Sequence, residues 1–314
     1  MLNRRHIRVK VMQSLFSYKS DEGDDLDPSI KFLNYSIDGM YDLYLLMIAI
    51  LPEIHVKAGD YMNKSQLKHL ATKAEKDPNK KFIENQILIS LSENSALREE
   101  LKKRKLTNWI VDDEYIDILF KETLKSQIYQ GYMNSSSSSF KDDLDFVVAL
   151  FKEVIAPNEK LYEYIEDKKL TWLDDLPLVN TTILKLLRKT KPNSPSSHFL
   201  PPLYKDEEDM AFANELFTNT VLNSRLFSDE IALRTKNWDS ERIAALDSVL
   251  LKMAICEFQN FPSIPVKVTI NEYLEIAKEY STPKSSVFIN GILDKLVGEY
   301  KADGKLNKTG RGLQ

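Results

Sequence analysis

The first ten residues carry four cationic side chains and no acidic one, at Arg4, Arg5, Arg8 and Lys10. An arginine guanidinium is a rigid fork of N–H donors that matches phosphate oxygens and the edges of nucleic-acid bases. On a helix of about 3.6 residues per turn the three arginines project within a sector of roughly 100°, whereas Lys10 points elsewhere. This spacing predicts a small anion-binding patch. The alternative is a solvated terminus without a function.

No arrangement typical of an enzyme or a metal site accompanies this patch. The single cysteine, Cys256, has no partner for a disulfide or a thiolate metal site. The sequence lacks a GxxxxGK phosphate loop, a GxGxxG turn and a GxSxG elbow. No two histidines have the spacing of metal ligands; they are His6, His55, His69 and His198. We therefore expect a non-catalytic protein without metal or cofactor.

The composition favours an all-α fold. Gly is scarce, at 9 of 314 residues, so the chain lacks the turns that a many-stranded sheet requires. Charged residues stand where a secretory signal needs an apolar core, and no apolar run is long enough to span a membrane. We expect a cytoplasmic protein with no membrane contact. Its net charge of −4 indicates that any nucleic-acid contact is local.

Two linker-like segments divide the chain. Serines occupy residues 135–139, and a Pro/Ser-rich connector covers residues 191–209. A weak similarity at an offset of 66 residues predicts a repeat unit at residues 140–190, although shared amphipathic periodicity is an alternative. The matched pairs are Phe146 with Phe212, Leu150 with Leu216, Phe151 with Phe217, Ile165 with Ile231, Trp172 with Trp238, and Leu184 with Leu250.

The last hundred residues show the clearest helix patterns. The residues "TINE" predict a capping box in which Thr269 accepts a hydrogen bond from the backbone N–H of Glu272. The pair Asn290-Gly291, which is typical of hairpin turns, lies inside an amphipathic helix. We therefore interpret Gly291 as a site of close helix packing and Asn290 as a side chain with an interhelical partner.

Two stretches resemble the NusB family of bacterial transcription antitermination factors. They are NRRHIRVKVMQSLFSY at the start and ALDSVLLKMAICEFQNFPSIPVKVTINEYLEIAKEYSTPKSSVFINGILDKL at residues 245–296. The more specific motifs lie in the second stretch: Cys256-Glu257-Phe258, the entry from Pro265 to Glu272, the Glu-x-Ala-Lys core from Glu275 to Lys278, and Phe-x-Asn-Gly-x-Leu-Asp-Lys from Phe288 to Lys295. The similarity covers less than half of the chain.

The resemblance implies an all-α fold of two small NusB-like helical bundles with an additional helical insertion. We expect an N-terminal RNA-binding helix at residues 1–24 and a C-terminal bundle at residues 205–300. Residues 25–204, which contain the possible repeat unit, are expected to form the insertion. The tail at residues 301–314 is polar, basic and rich in Gly, so we expect it to be disordered.

The resemblance also implies a function. NusB-like proteins bind boxA-type single-stranded RNA together with NusE, a ribosomal protein of the small subunit. They belong to an RNA polymerase antitermination complex that supports transcription of ribosomal RNA operons. By this resemblance the chain is a non-catalytic RNA-binding factor without a cofactor.

The RNA-binding residues that the resemblance implies are Arg4, Arg5, His6, Arg8, Lys284 and Phe288. His6 stands where the family usually has an arginine. Lys284 stands where the family commonly has an acid, and a cation there should favour RNA binding; the alternative is a surface lysine at a helix start, which the helix dipole disfavours. The Phe288 ring would stack on an unpaired base, a contact that contributes about 1–3 kcal/mol, with core packing as the alternative.

For the NusE partner, the resemblance implies Phe16, Glu241 and Asp247. Carboxylates suit the basic surface of a ribosomal protein. The alternative roles are structural: Glu241 is a first-turn acid favoured by the helix dipole, Asp247 is solvated, and Phe16 is a core residue.

Two other functions fit part of the sequence. A similar domain precedes a class of RNA cytosine methyltransferases, but these enzymes need a sheet-containing domain with a glycine-rich cofactor turn, which this sequence lacks. The other is a helical protein-interaction scaffold whose RNA binding has decayed. The three N-terminal arginines argue against decay.

Overall fold

The structure of the protein, a computed structural model, describes residues 1–18, 25–70, 72–235 and 244–313. These residues form helices and no strands, which confirms the predicted all-α fold. The helices are α1 (Arg4–Ser17), α2 (Asp27–Gln66), α3 (Lys73–Lys76), α4 (Gln86–Ser92), α5 (Ser95–Lys103), α6 (Asn108–Val111), α7 (Asp113–Lys125), α8 (Gln127–Asn134), α9 (Phe140–Leu150), α10 (Glu159–Lys168), α11 (Leu176–Lys189), α12 (Glu207–Leu222), α13 (Ser224–Arg234), α14 (Ala245–Asn260), α15 (Val266–Tyr280) and α16 (Ser285–Ala302). Short π or 3-10 turns occupy Phe151–Ile155, Leu170–Asp175, Ser196–Phe199 and Gly310–Leu313.

The chain divides into two units. Unit 1 combines Met1–Ile37 with Leu203–Gln314, and unit 2 is Asp38–Pro202. The boundary falls inside α2. The predicted limits of the insertion stay a prediction. The predicted repeat also stays a prediction, because amphipathic helices bury matched positions with or without duplication. Trp238, one member of the repeat, lies outside the described residues.

Unit 1 is built around α14. This helix packs against α1, α12, α13, α15 and α16, and Cys256 is buried in it as a free thiol. Helix α1 lies on α12, α14 and α15, with Ile7 and Val11 fully buried. A helix with neighbours on most sides must be apolar nearly all round, as the sequence of α14 is.

Unit 2 is formed by the later part of α2 and by α3 to α11. Residues 43–51 of α2 are all buried. Two tryptophans donate their indole N–H groups to carbonyls of this helix, Trp109 to Leu46 at 2.8 Å and Trp172 to Gly39 at 2.7 Å. Within the described ranges, no helix is both long and apolar enough to cross a membrane.

Two predictions of local structure in the last helices are wrong. A Cβ built on Gly291 would meet nothing within 4 Å, and Asn290 donates to Asp294 of its own helix, so the pair is not an interhelical contact. Thr269 is no cap, since α15 already begins at Val266. The Thr269 hydroxyl instead donates to the Glu257 carboxylate at 2.6 Å.

The serine run has defined contacts inside unit 2. Ser139 caps α9 by accepting from the Asp142 backbone N–H, while the Asp142 carboxylate accepts from the Ser139 N–H. The Lys81 ammonium donates to the carbonyls of Ser135 and Ser137 at 2.8 and 2.6 Å. The run is therefore a helix cap as well as a connection.

The C-terminal tail, predicted to be disordered, also makes contacts in unit 1. The Lys308 ammonium donates to the carbonyls of Glu257 and Phe261, at 3.2 and 3.0 Å. The Thr309 N–H donates to the Pro262 carbonyl at 3.0 Å. The Glu257 carbonyl also accepts from the Phe261 backbone N–H, so the tail adds a second donor there and donors to the two carbonyls that follow α14.

Candidate nucleic-acid interface

The predicted cationic patch begins on the first turn of α1, in unit 1. The Asn3 side chain caps this helix by accepting from the His6 backbone N–H at 3.1 Å. The first turn contains Arg4 and Arg5 and no acidic residue, an arrangement that the helix dipole disfavours. Carboxylates from α12, α14 and α15 provide the compensating charge.

An open groove of about 1000 Å³ lies beside this turn. Its lining carries as many acidic as basic side chains, so it is not a purely cationic surface. The charged lining residues are Arg4, Arg5, Arg8, Lys205, Asp206, Glu208, Asp209 and Glu272. An RNA phosphate that enters the groove therefore competes with carboxylates for the guanidinium groups.

Arg8 lies in the interior of unit 1. Only 2% of its side chain is exposed, and its guanidinium donates two hydrogen bonds to the Glu257 carboxylate at 2.8 and 2.7 Å. Burial would lower the pKa of Arg8, but the Glu257 carboxylate beside it outweighs burial and raises that pKa. Of the predicted RNA-binding residues, Arg8 has the geometry that fits direct RNA contact least.

Arg4 and Arg5 are partly exposed at the groove and each is paired. Arg5 donates to both oxygens of Glu272, at 2.8 and 2.9 Å. This hydrogen-bonded pairing raises the pKa of Arg5 and lowers the pKa of Glu272. Arg4 donates to Asp209 at 3.0 Å, and its guanidinium lies over the Phe212 ring at 5.2 Å.

His6 adds little positive charge to this surface. Burial, and then the charge of Arg5, lower the pKa of His6 below its usual value. Its Nδ1 atom is buried and has no hydrogen-bond partner among the described residues. The lowered pKa favours the neutral imidazole, which is a weaker phosphate ligand than an arginine.

Lys284 and Phe288 lie on another element of unit 1. Lys284 immediately precedes α16 and is exposed, and Phe288 in the first turn is half-buried. Helix α16 packs on α14 and α15, and α1 also packs on these two helices. The structure thus brings Arg4, Arg5 and His6 together, and it places Lys284 and Phe288 on a separate helix of the same bundle.

Comparison with known proteins places this bundle in a family. The model of the NusB family matches residues 196–298. The transcription antitermination protein NusB of Salinibacter ruber is 43% identical over 112 residues, which cover 36% of this chain and 70% of that protein. The chain belongs to the NusB family.

Two further relatives with the same name agree with this result. NusB of Chloroherpeton thalassium is 38% identical over 128 residues, 40% of this chain and 61% of that protein. NusB of Koribacter versatilis is 41% identical over 100 residues, 32% of this chain and 68% of that protein. No solved structure matches this chain. Most of the match to the NusB family model lies in unit 1. Within unit 2 the family model covers only residues 196–202.

The structure describes two of the three residues predicted to face the NusE partner, Phe16 and Asp247. Phe16 is 58% exposed at the end of α1, so it is not a core residue. Asp247 is 4% exposed, and its carboxylate accepts from the hydroxyls of Ser281 and Ser285 at 2.6 and 2.7 Å. Its geometry fits an intramolecular role better than direct partner contact. Glu241 lies outside the described residues.

The sequence analysis missed the carboxylates of the NusB-family site. Glu257, Glu272 and Asp209 hold the three N-terminal arginines, yet none of them was paired with an arginine from sequence. Glu257 carried a usable indication, since an acid flanked by apolar residues in a buried helix needs a buried cation. Asp209 lies in the first turn of α12 and Glu272 lies in the middle of α15, and neither carried such an indication in the sequence.

Proposed function

We propose that this protein is a non-catalytic transcription antitermination factor that binds boxA-type single-stranded RNA together with the ribosomal protein NusE. It would act in the cytoplasm, in an RNA polymerase antitermination complex that supports transcription of ribosomal RNA operons. Membership of the NusB family, through relatives that are named transcription antitermination proteins, is the observation that carries this proposal.

The site that supports RNA binding is the exposed part of the groove beside α1. Arg4 and Arg5 present guanidinium forks there, and Lys284 and Phe288 would add a charge and a stacking ring from α16. We assign Arg8 to holding α1 in place, because its guanidinium is buried against Glu257. Phe16 is the accessible candidate for contact with NusE.

The test is binding of boxA-type RNA, with and without NusE, over a series of salt concentrations. The variant Arg4→Ala/Arg5→Ala should weaken binding and reduce the slope of log affinity against log salt by about 1.4, the value for two phosphate contacts to a single strand. Lys278→Ala/Lys301→Ala removes the same charge from elsewhere in unit 1 and should leave the slope unchanged. Equal slopes for all three proteins would reject the assigned residues. Failure of the wild-type protein and NusE to bind boxA RNA would reject the function.

A substitution at Glu272 should raise RNA affinity, whereas the arginine substitutions should lower it. The substitution Glu272→Gln removes the carboxylate that competes with RNA for Arg5, so RNA affinity should rise. A partly exposed ion pair contributes about 0.2–1 kcal/mol, which corresponds to a gain of at most about fivefold. Glu275→Gln, a matched loss of one negative charge one turn along α15, should change affinity less. Weaker binding by Glu272→Gln would mean that the Arg5–Glu272 pair is needed for RNA contact.

A further inference from the structure

Unit 2 carries a cationic surface that the proposed function does not use. Residues 176–202 of this unit contain no Asp or Glu, although the chain has 47 acidic residues in 314. Four exposed cations cluster at the end of α11 in this segment. We call them the α11 surface: Lys185, Arg188, Lys189 and Lys191.

The α11 surface lies opposite the buried face of its helix. Val179, Ile183 and Leu187 are fully buried. At about 100° per residue, the three helical cations project within a sector of roughly 100° on the other side. Residues three and four positions apart have Cβ atoms about 5–6 Å from each other, so the cations form one continuous patch.

The helix dipole accounts for only part of this pattern. Cations near a helix C-terminus are favoured by about 0.3–1 kcal/mol each, which is enough to explain one or two lysines. The carbonyl of Leu186 already accepts from the Thr190 hydroxyl at 3.1 Å and lies 2.9 Å from the His198 ring Nε2. Four cations therefore exceed what the partly satisfied end of α11 requires.

The α11 cations also differ from those of α1 in their pairing. In the described part of the chain no carboxylate forms an ion pair with any of the four, whereas Arg4, Arg5 and Arg8 are all paired. An anion that binds at the α11 surface therefore displaces no carboxylate. One that binds at Arg5 must compete with Glu272.

The surroundings of the α11 surface favour a phosphate backbone over a protein partner. Residues 176–202, all of them described, include no exposed large hydrophobic side chain, and protein interfaces normally need an apolar centre. An open cleft of about 430 Å³ lies beside the 3-10 turn that follows α11, and its lining mixes serine hydroxyls with apolar side chains and the Glu93 carboxylate. The α11 cations do not line this cleft, so the preference for a phosphate backbone rests on their charge and on the lack of an apolar centre around them.

We propose that the α11 surface binds the phosphate backbone of single-stranded RNA without base specificity. The choice of RNA as the bound anion rests on the proposed function. The cationic surface itself is an observation that is independent of that function. The NusB-like bundle would then supply selective RNA contact, and unit 2 would add a contact that any RNA sequence can make.

The experiment compares the full-length protein with Lys185→Gln/Arg188→Gln/Lys189→Gln/Lys191→Gln. Gln is a good helix former, so α11 should persist, which circular dichroism checks. A matched control replaces four exposed lysines elsewhere in unit 2, as Lys64→Gln/Lys73→Gln/Lys76→Gln/Lys121→Gln. Each protein is titrated with a long oligouridine, with boxA-type RNA and with a poly-glutamate peptide over a series of salt concentrations.

The α11 variant alone should lose oligouridine affinity, with a slope of log affinity against log salt that is smaller by about 2 to 3. Equal slopes in all three proteins, or no oligouridine binding by the wild type, would overturn the proposal. If the slopes are equal but boxA binding still depends on Arg4 and Arg5, the proposed function is retained and only the α11 proposal fails. If oligouridine binding depends on α11 but the wild-type protein binds boxA-type RNA no more tightly than oligouridine, the proposed function fails and the α11 proposal is retained. Poly-glutamate binding that depends on α11, together with RNA binding that does not, would assign the surface to an acidic protein.

Discussion

Glu257 is the residue on which the position of α1 depends. Its carboxylate accepts two hydrogen bonds from Arg8, one from Thr269 and one from Tyr273, all in the interior of unit 1. A buried charge is tolerated only when it is paired and its remaining hydrogen-bonding positions are filled. These contacts join α1, α14 and α15, so the geometry of Arg4 and Arg5 follows from a pair that never meets solvent.

The substitution Glu257→Gln should therefore destabilise unit 1. It leaves the Arg8 charge buried without its main counter-charge, a change that typically costs about 3–5 kcal/mol. The double variant Arg8→Met/Glu257→Gln removes both charges and keeps an acceptor for Thr269, so it should recover at least half of the loss. Hydrogen exchange of α14 amides measures the loss of stability in Glu257→Gln and its recovery in the double variant. Glu275→Gln, at an exposed position, is the control. RNA affinity close to wild type in the double variant would support a positioning role for Arg8, and a large loss would indicate direct contact.

Sequence reasoning at this scale found the cations and not their partners. Arg4, Arg5 and Arg8 were grouped correctly on one sector of α1, because helical periodicity depends only on local spacing. Their carboxylates come from residues more than 200 positions away, as in the Arg4–Asp209 and Arg5–Glu272 pairs. Such pairs arise from tertiary packing, which local patterns do not specify. The burial of Arg8 is a consequence of the same packing.

At the scale of secondary-structure elements, Asp247 links the start of α14 to the start of α16. Helix α14 places this carboxylate in its first turn, where it accepts from the hydroxyls of Ser281, the C-cap residue of α15, and Ser285, the first residue of α16. Lys284, the N-cap residue of α16, makes no capping hydrogen bond with its side chain. The entry into α16 is thus held by a residue from another helix, and that entry carries Lys284 and Phe288.

The variants Asp247→Ala and Phe16→Ala should separate structural from partner-binding roles. Asp247→Ala leaves two serine hydroxyls without their acceptor, which costs about 1–3 kcal/mol for each buried group that stays unsatisfied. Faster hydrogen exchange in the first turns of α16 should follow. Phe16→Ala alters an exposed ring, so exchange should stay unchanged while affinity for NusE falls. If Asp247→Ala weakens NusE binding without any change in exchange, Asp247 is a contact residue.

The predicted elements of unit 1 differ from the observed ones where a local motif competed with packing. The residues "TINE" fit a capping box, but α15 starts three residues earlier and turns Thr269 inward to Glu257. The sequence Asn290-Gly291 suggested close packing, but the glycine faces open space. Motifs of two to four residues describe what a segment can do, and the neighbouring helices decide which option is used.

At the scale of the whole molecule, carboxylates link stability to pH. Hydrogen bonds from Ser137 and Ser139 lower the pKa of Asp142 to about 2, and Lys68 and Thr72 do the same for Glu75. A carboxyl whose pKa is lower in the folded chain stabilises it above the unfolded pKa and loses that effect as pH falls through the folded value. Burial raises the pKa of Asp42 and Glu53, and these two groups oppose the trend.

Asp142→Asn tests this linkage because asparagine mimics the protonated carboxyl. At pH 7 the variant should be less stable than the wild type, since the unfolded carboxyl has a pKa of about 3.9 and the folded one is lower. The difference should shrink between about pH 4 and pH 2, where the wild-type carboxylate also takes up its proton. Denaturant unfolding can be followed by the fluorescence of Trp109 and Trp172 in a Trp238→Phe background. Asp145→Asn, which changes an exposed acid on the same helix, is the control for the loss of one negative charge. A stability difference that persists at pH 2 would mean that the cap at the start of α9 depends on shape and hydrogen bonding rather than on charge.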